Sequence, residues 1–407
     1  MEAKVVVGLI GAGYAASIHA RAYRKVHGVP VELRSVVGNR PERAAAFAAE
    51  FGIPRVISSI DELLADPAIT LVDICAPNSL HAELAIAAAN HGKHVVVEKP
   101  LTGYFGDGSD NVDSISRVDM LRGAVASATS IVDATRANGV RLLYAENWVY
   151  APAIQKVRQL MSAADGTILR IQGEESHSGS HAMYARRWET AGGGSLLGKG
   201  CHPLAAALYL KRAEGMARDG RPIRPRSVVA EVGRLTRSPS FVQEHPKFIQ
   251  DGWHDVEDWG AMLVTFEDRT VAQITASDAV LGGIRNCLTV YGSRAVAEAN
   301  LNPNSACIAY APSTEMFANE YISEKIETKA GWSFPSTDEE HAQGYPQEMQ
   351  DFVEAVADDR EPLSDAALAI DVVLVCYAAY LSAAEGRRID LGDEQRAIAV
   401  ASESIDH

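Results

Sequence analysis

The 407-residue sequence predicts an N-terminal α/β domain built on a doubly wound parallel sheet, followed by an α+β domain with a large open, mostly antiparallel sheet. Three observations carry this expectation. Short apolar runs alternate with helical patterns through the first part of the chain, longer strands with few helices take over after Thr167, and the first apolar run ends directly in Gly11-Ala12-Gly13. The change of texture places the boundary near Asn147, giving domains over residues 1–147 and 148–407.

Element by element, Lys4–Ile10 reads as a strand and Ala15–Val26 as the helix after the glycine turn. Val31–Val37 is a second strand. Pro41–Phe51 has a proline suited to a first helical turn and Gly52 just past its end. Ser59 and Glu62 have the spacing of a capping box for a short helix. Leu71–Ala76 and His94–Glu98 are buried strands, separated by a helix over Ser79–His91 that Gly92 closes. Thr102–Arg117 breaks periodicity and reads as an excursion on the ligand rim; a helix near Met120–Asn138 and a strand Arg141–Glu146 complete the first sheet. Strands of the second domain are expected over Ile168–Glu175, Ser227–Leu235, Trp259–Phe266, Thr270–Ser277 and Asn286–Gly292, with closing helices Gly344–Asp358 and Asp365–Glu385.

A net charge of −15 repels phosphate backbones and anionic membranes, and no basic patch opposes it, so nucleic acid and membrane partners are not expected. Five cysteines, odd in number and scattered, do not form a disulfide framework. The first strand begins close to Met1, leaving no room for a signal peptide, and no apolar run approaches the ~20 residues that span a bilayer. A cytoplasmic protein is expected.

The chemistry is carried by a few motifs. Gly11-Ala12-Gly13-Tyr14-Ala15-Ala16, set between a strand and a helix, lets backbone N–H groups approach a pyrophosphate at a helix N-terminus. The end of the second strand usually carries an acid for ribose hydroxyls, whereas here it reads Gly38-Asn39-Arg40 with Arg43 one turn on; this favours tolerance of a 2′-phosphate, hence NAD or NADP. Glu98-Lys99-Pro100 ends a buried strand, so the Lys99 ammonium should emerge at the ligand face with a pKa depressed by burial and by a nicotinamide. Gly192–Pro203 combines a triple glycine, suited to close approach of backbone and ligand, with His202 near a helix start, suited to taking a hydroxyl proton. His177, His181, Tyr184 and Trp188 cluster between a strand and that glycine run; their irregular spacing favours hydrogen bonds to a polyol over metal binding, and no metal is expected.

Together, Gly11-Ala12-Gly13, Ala76-Pro77-Asn78-Ser79-Leu80-His81, Gly92–Pro100, Gly192–Pro203 and the tail Tyr380–Arg387 resemble the Gfo/Idh/MocA oxidoreductases, named for glucose-fructose oxidoreductase, inositol dehydrogenase and a rhizopine-catabolism protein. The resemblance covers nearly the whole chain. It implies a Rossmann dinucleotide domain, a sheet domain that commonly forms homodimers or homotetramers, and a substrate bound between them. Lys99 matches the lysine that contacts the reacting oxygen, His202 the usual proton acceptor, and Ala76, Pro77, Asn78 and His81 cofactor-lining positions, with Glu98 and Trp188 beside them. Family members often carry aspartate where this chain has Gly198 and Ala205. Glu146 is expected either to pair with Lys199 or to replace that carboxylate.

These residues imply a dehydrogenase that interconverts a secondary alcohol and a ketone on a sugar, cyclitol or glycoside. Trp148, Trp188 and Tyr184 are candidates to stack on the ring, with Glu146, Lys199, His177 and His181 reaching its hydroxyls. The long stretch after Leu101, with Tyr144–Tyr150, is similar to a subgroup that oxidises ring hydroxyls of glycosides. Two other functions fit the same motifs: a glycosidase that uses transient oxidation by bound NAD, and a non-catalytic sugar or cofactor sensor.

Overall fold

The computed structural model describes residues 4–106, 112, 115–180, 182–302 and 307–392. Val- and Ile-rich runs form the first sheet: β1 (Val5–Ile10), β2 (Val31–Val37), β3 (Arg55–Ile57), β4 (Leu71–Ile74), β5 (His94–Glu98) and β6 (Leu142–Ala145). All pairs are parallel, in the order β3-β2-β1-β4-β5-β6. Because β1 is flanked by β2 on one side and β4 on the other, the strand order reverses there and a crevice opens beyond the carboxyl ends. Helices cover both faces, which explains why β1 and β4 are buried at every position.

The second sheet contains β7 (Ile168–Ser176), β8 (Pro225–Gly233), β9 (Trp259–Phe266), β10 (Val271–Ser277), β11 (Arg285–Gly292) and β12 (Val296–Asn300); a small pair, β13 (Ala309–Ala311) and β14 (Gly331–Ser333), stands apart, and β15 (Ile389–Asp390) closes one edge. Its order is β12-β11-β7-β10-β9-β8-β15, with β7 and β10 parallel and the other neighbours antiparallel. The parallel pair aligns Glu175 with Ala276 and Ser176 with Ser277, so the carboxyl ends of the two strands lie side by side.

Most predicted elements appear within a residue or two. The helix expected over Ser79–His91 is a 3-10 turn, Asn78–Leu80, followed by a helix at His81–Asn90. The capping box is present, with the Glu62 N–H donating to Ser59 Oγ at 3.1 Å. The helix Ala366–Glu385 corrects the expectation that no run approaches bilayer length: it is long and apolar enough to cross a membrane by length and composition. It is instead a core helix, buried from Leu368 to Ser382 and packed on the helix Arg117–Ala137 and on β8. The helix Tyr345–Ala357 likewise returns to the first half of the chain and packs on the helix Tyr14–Tyr23.

Candidate active site

The glycine turn after β1 is a backbone device. Gly11 has φ +115°, and a Cβ there would lie 2.4 Å from the Cys75 carbonyl oxygen, so both conformation and space require glycine. At Gly13, the N-cap of the helix Tyr14–Tyr23, an added Cβ meets nothing within 4 Å, and no side chain caps the helix. The first-turn N–H groups therefore face an open approach, the fit a pyrophosphate needs. Tyr14 is exposed and Ala15 half-buried at this mouth. Asn39, Arg40 and Arg43 are exposed beyond β2, and the two arginines make no ion pair among the described residues.

Behind the turn, buried polar groups fix the strand ends. His19 Nδ1 lies 2.9 Å from Asp73 Oδ2, and its Nε2 lies 3.2 Å from Glu98 Oε1. Glu98 also accepts from the Lys99 N–H at 2.8 Å. Ala76 and Pro77 lie at the rim, and Asn78 donates to the Ala191 carbonyl at 2.9 Å, tying this loop to the triple glycine. His81 corrects the expectation of a cofactor contact: it is fully buried, with Nδ1 2.9 Å from the Pro100 carbonyl and Nε2 3.0 Å from that of Ala76. It braces the two loops from behind.

Lys99 leaves β5 as predicted and donates to the Gly198 carbonyl at 2.8 Å. Its charge state is corrected. Burial pulls its pKa down, but the carboxylates of Glu175, Glu98 and Glu146 outweigh it, and the net direction is up. The ammonium is favoured over the neutral amine.

His202 sits in the first turn of the helix Cys201–Asp219, 4% exposed. Its Nδ1 contacts Glu146 Oε1, and its Nε2 lies 3.8 Å from Glu175 Oε2. Of the two roles open to Glu146, the geometry therefore supports replacement of the carboxylate. The space of the other is free: a Cβ on Gly198 would meet nothing within 4 Å. With a carboxylate at Nδ1, that nitrogen carries the hydrogen and Nε2 presents a lone pair. Trp148 is 1% exposed and stacks on the imidazole at 6.0 Å, so it holds His202 in place and is not the sugar platform expected of it.

Lys199 is buried as well. It pairs with Asp278 at 2.6 Å, which also accepts from Ser195 Oγ at 2.5 Å and from the Ser180 N–H at 3.1 Å. The expectation of a free cation reaching sugar hydroxyls is corrected to a neutralised pair. His177 accepts from the Gly179 N–H through Nδ1 at 3.0 Å. Tyr184 is 47% exposed and near enough to Lys99 and Glu98 to feel their charges, as a residue at the site mouth would be. His181 lies outside the described residues.

The triple glycine serves protein packing more than ligand approach. A Cβ on Gly193 would lie 2.3 Å from the Tyr380 hydroxyl, and one on Gly194 2.0 Å from the Glu257 carbonyl oxygen. Glu257 accepts from the N–H groups of Gly194 and Leu196 and from the Tyr380 hydroxyl, while Tyr377 donates to the Gly192 carbonyl at 2.6 Å. Trp188, predicted beside the cofactor, is corrected to the same scaffold: it is 3% exposed, donates to the Tyr104 carbonyl at 2.9 Å and packs on Tyr380.

Glu146, Cys201 and His202 offer donor atoms within 4.8 Å of one another. The neighbouring Lys99 ammonium and the direct Glu146–His202 contact oppose a cation there, and burial holds the Cys201 thiol well above its usual range. Sequence reasoning missed Glu175, Asp278, Glu257 and the His19–Asp73 pair. Glu175 and Asp278 had one available signal, carboxylates placed at or just past the ends of two strands that prove to be parallel neighbours.

Residues 5–120 match the oxidoreductase family with the NAD-binding Rossmann fold, and residues 154–298 match the GFO/IDH/MocA C-terminal domain. Levoglucosan dehydrogenase of Pseudarthrobacter phenanthrenivorans is 43% identical over 101 residues, 23% of this chain and 26% of its own length. The NADP(+)-dependent scyllo-inositol 2-dehydrogenase IolU of Bacillus subtilis is 27% identical over 166 residues, 41% of this chain and 42% of its own. The chain spans 26%, 49% and 31% of three curated relatives it matches, so these alignments cover at most about half of each. A crystal structure of GenD2 from gentamicin A biosynthesis, in complex with NAD, superposes with a TM-score of 0.76 at 27% identity over 95% of this chain and 96% of that one. With both of its sheets matched and its glycine turn intact, the chain belongs to the Gfo/Idh/MocA oxidoreductases, an NAD-binding Rossmann domain followed by that family's C-terminal domain.

Proposed function

We propose that this protein is an NAD(P)-dependent dehydrogenase that interconverts a secondary alcohol and a ketone on a sugar, cyclitol or glycoside. The observation that carries the reading is the meeting of Lys99 and the Glu146–His202 pair around one turn: Lys99 donates to the Gly198 carbonyl, and the His202 N–H donates to the Lys199 carbonyl at 3.0 Å. Glu98, next to Lys99 in the chain, contacts His19 of the helix Tyr14–Tyr23, whose start, with Gly11 and Gly13, would hold the dinucleotide. When bound, that cofactor supplies hydride acceptance from the carbinol carbon.

This chain's own groups handle the oxygen and its proton. His202 Nε2 takes the hydroxyl proton, and Glu146, at Nδ1, stabilises the imidazolium that results. Lys99, held cationic, donates to the oxygen as negative charge develops on it. Burial of Glu146 and His202 keeps water from weakening these interactions. Reduction of a ketone runs through the same groups in reverse.

Tolerance of NADP is supported by the exposed, unpaired Arg40 and Arg43 and by the absence of an acid at Gly38-Asn39. A homo-oligomer is supported by the outer face of the second sheet, where Val229 and Leu263 are exposed in one cross-strand row with Gln273 and Gln172. The test is to incubate the purified protein with NAD and with NADP against sugars, inositols and glycosides, following reduced nicotinamide and examining products by mass spectrometry. Appearance of a ketone with reduced cofactor is expected; tight dinucleotide binding without any ketone would overturn the reading.

A further inference from the structure

We propose that Glu175 is the specificity residue of this site, accepting a hydrogen bond from a hydroxyl on the ring carbon next to the carbinol, so that the substrate is a vicinal diol. The inference rests on the dehydrogenase reading above and adds the pattern of hydroxyls that the site selects.

Glu175 lies near the end of β7, a central strand, and is 9% exposed. Its Oε2 is shielded from solvent and takes no hydrogen bond from the described residues. The other buried acids of the site are satisfied differently. Glu146 has the His202 Nδ1 hydrogen on Oε1 although its Oε2 is unpartnered, Asp278 has Lys199 and Ser195, and Glu257 has backbone N–H groups and Tyr380, whereas Glu175 has no donor at all among the described residues. Charge alone does not fill carboxylate lone pairs: Lys99 and Lys199 act on Glu175 electrostatically, yet each spends a short hydrogen bond elsewhere. A buried acceptor without donors is costly and calls for a partner, which a bound ligand can supply.

The geometry identifies the donor. Glu175 Oε2 stands 3.8 Å from His202 Nε2, the nitrogen left free to take the carbinol proton. Hydroxyl oxygens on adjacent ring carbons lie about one hydrogen-bond length (~2.8 Å) apart, so one can donate to Nε2 while its neighbour donates to the exposed side of the Glu175 carboxylate. An isolated carbinol engages only the imidazole and leaves the carboxylate bare. Burial also pushes the Glu175 pKa up, which makes an accompanying donor more necessary for the ionised form.

The experiment compares a polyol that the protein oxidises with its analogue lacking the neighbouring hydroxyl, in the full-length protein and in Glu175→Leu and Glu175→Gln. In the unaltered protein the deoxy analogue should lose about 10²- to 10⁴-fold in kcat/KM, because the site's buried acceptor then goes unpaired. Glu175→Leu should bring diol and deoxy analogue within about threefold, whereas Glu175→Gln, which keeps an acceptor oxygen, should retain part of the preference. Unchanged melting temperature and NADH affinity establish that the variants are folded; should the leucine variant not fold, the glutamine variant and the deoxy comparison decide. Equal turnover of diol and deoxy analogue by the unaltered protein, or full preference in Glu175→Leu, overturns the proposal while leaving the dehydrogenase reading in place. If nothing turns over, calorimetric titration of diol and deoxy analogue into NADH-loaded protein reads the same preference; polyols that fail to bind there overturn both.

Discussion

The nucleotide cradle and the proton-transfer cluster sit side by side yet are built on opposite principles. The cradle is made of backbone: a left-handed glycine, a second glycine at a helix start, and a strand end, all within residues 5–15. The cluster is made of side chains delivered from β5, from the segment after β6, from β7 and from the helix Cys201–Asp219. The first depends on local conformation and tolerates almost no chemistry change. The second depends on charge balance, in which each buried ion stands beside its counter-ion, so removal of one group leaves another exposed to the full cost of burial.

The sharpest way to break this comparison is Glu146→Gln. An amide can donate to Nδ1 and so hold the imidazole with its lone pair on the wrong side, and kcat should fall about 10³- to 10⁴-fold with dinucleotide affinity unchanged. Adding Gly198→Asp to that variant should recover at least about tenfold, because the new side chain enters open space four residues before His202. Steady-state kinetics of the single and double variants check both; activity near that of the unaltered protein in Glu146→Gln would mean the cluster is not a charge-balanced unit. Lys99→Met should lower kcat about 10²- to 10³-fold, as for loss of one donor to a developing oxyanion, again without change in NADH affinity measured by fluorescence titration.

A smaller effect sharpens the contrast from the scaffold side. Burial raises the Glu257 pKa to about 6, against the backbone N–H and Tyr380 donors that favour its ionised form. The folded state therefore holds this proton more tightly than the unfolded chain. Its contribution to stability is complete below the ordinary carboxylate pKa and is lost as pH rises through about 6, a change of about 2 kcal/mol. In melts taken from pH 4.5 to 7, the stability difference between the unaltered protein and Glu257→Gln should shrink by that order; a constant difference would show that Glu257 does not titrate in this window.

What can be read from the sequence divides along the same line. Gly11, Gly13, the strands β1, β4 and β5, and the exit of Lys99 beside the crevice are local consequences of apolar runs and glycine positions, and they appear where expected. His202 and the need for a replacement carboxylate are legible from residue types, although the choice between two partners for Glu146 requires the fold. The charge on Lys99 escapes a sequence reading because Glu175 and Glu146 reach it from remote segments. Trp148, Trp188 and the triple glycine look like ligand contacts until their partners are known: His202, Tyr380 and Glu257 lie 54, 192 and about 60 residues away in sequence, and only packing brings them together. Glu175 and Asp278 give only a faint sign, since an acid at a strand end is ordinary until its neighbouring strand is known.

The empty space over Gly198 has a consequence for how such enzymes diversify. A negatively charged oxygen is wanted at one imidazole nitrogen, and here it arrives from the end of a strand instead of from the turn of a helix. Natural drift can thus relocate an essential atom between secondary elements without passing through an inactive ancestor, provided both acids coexist for a time. A column-by-column alignment would score this chain as defective at the very place where it has changed suppliers.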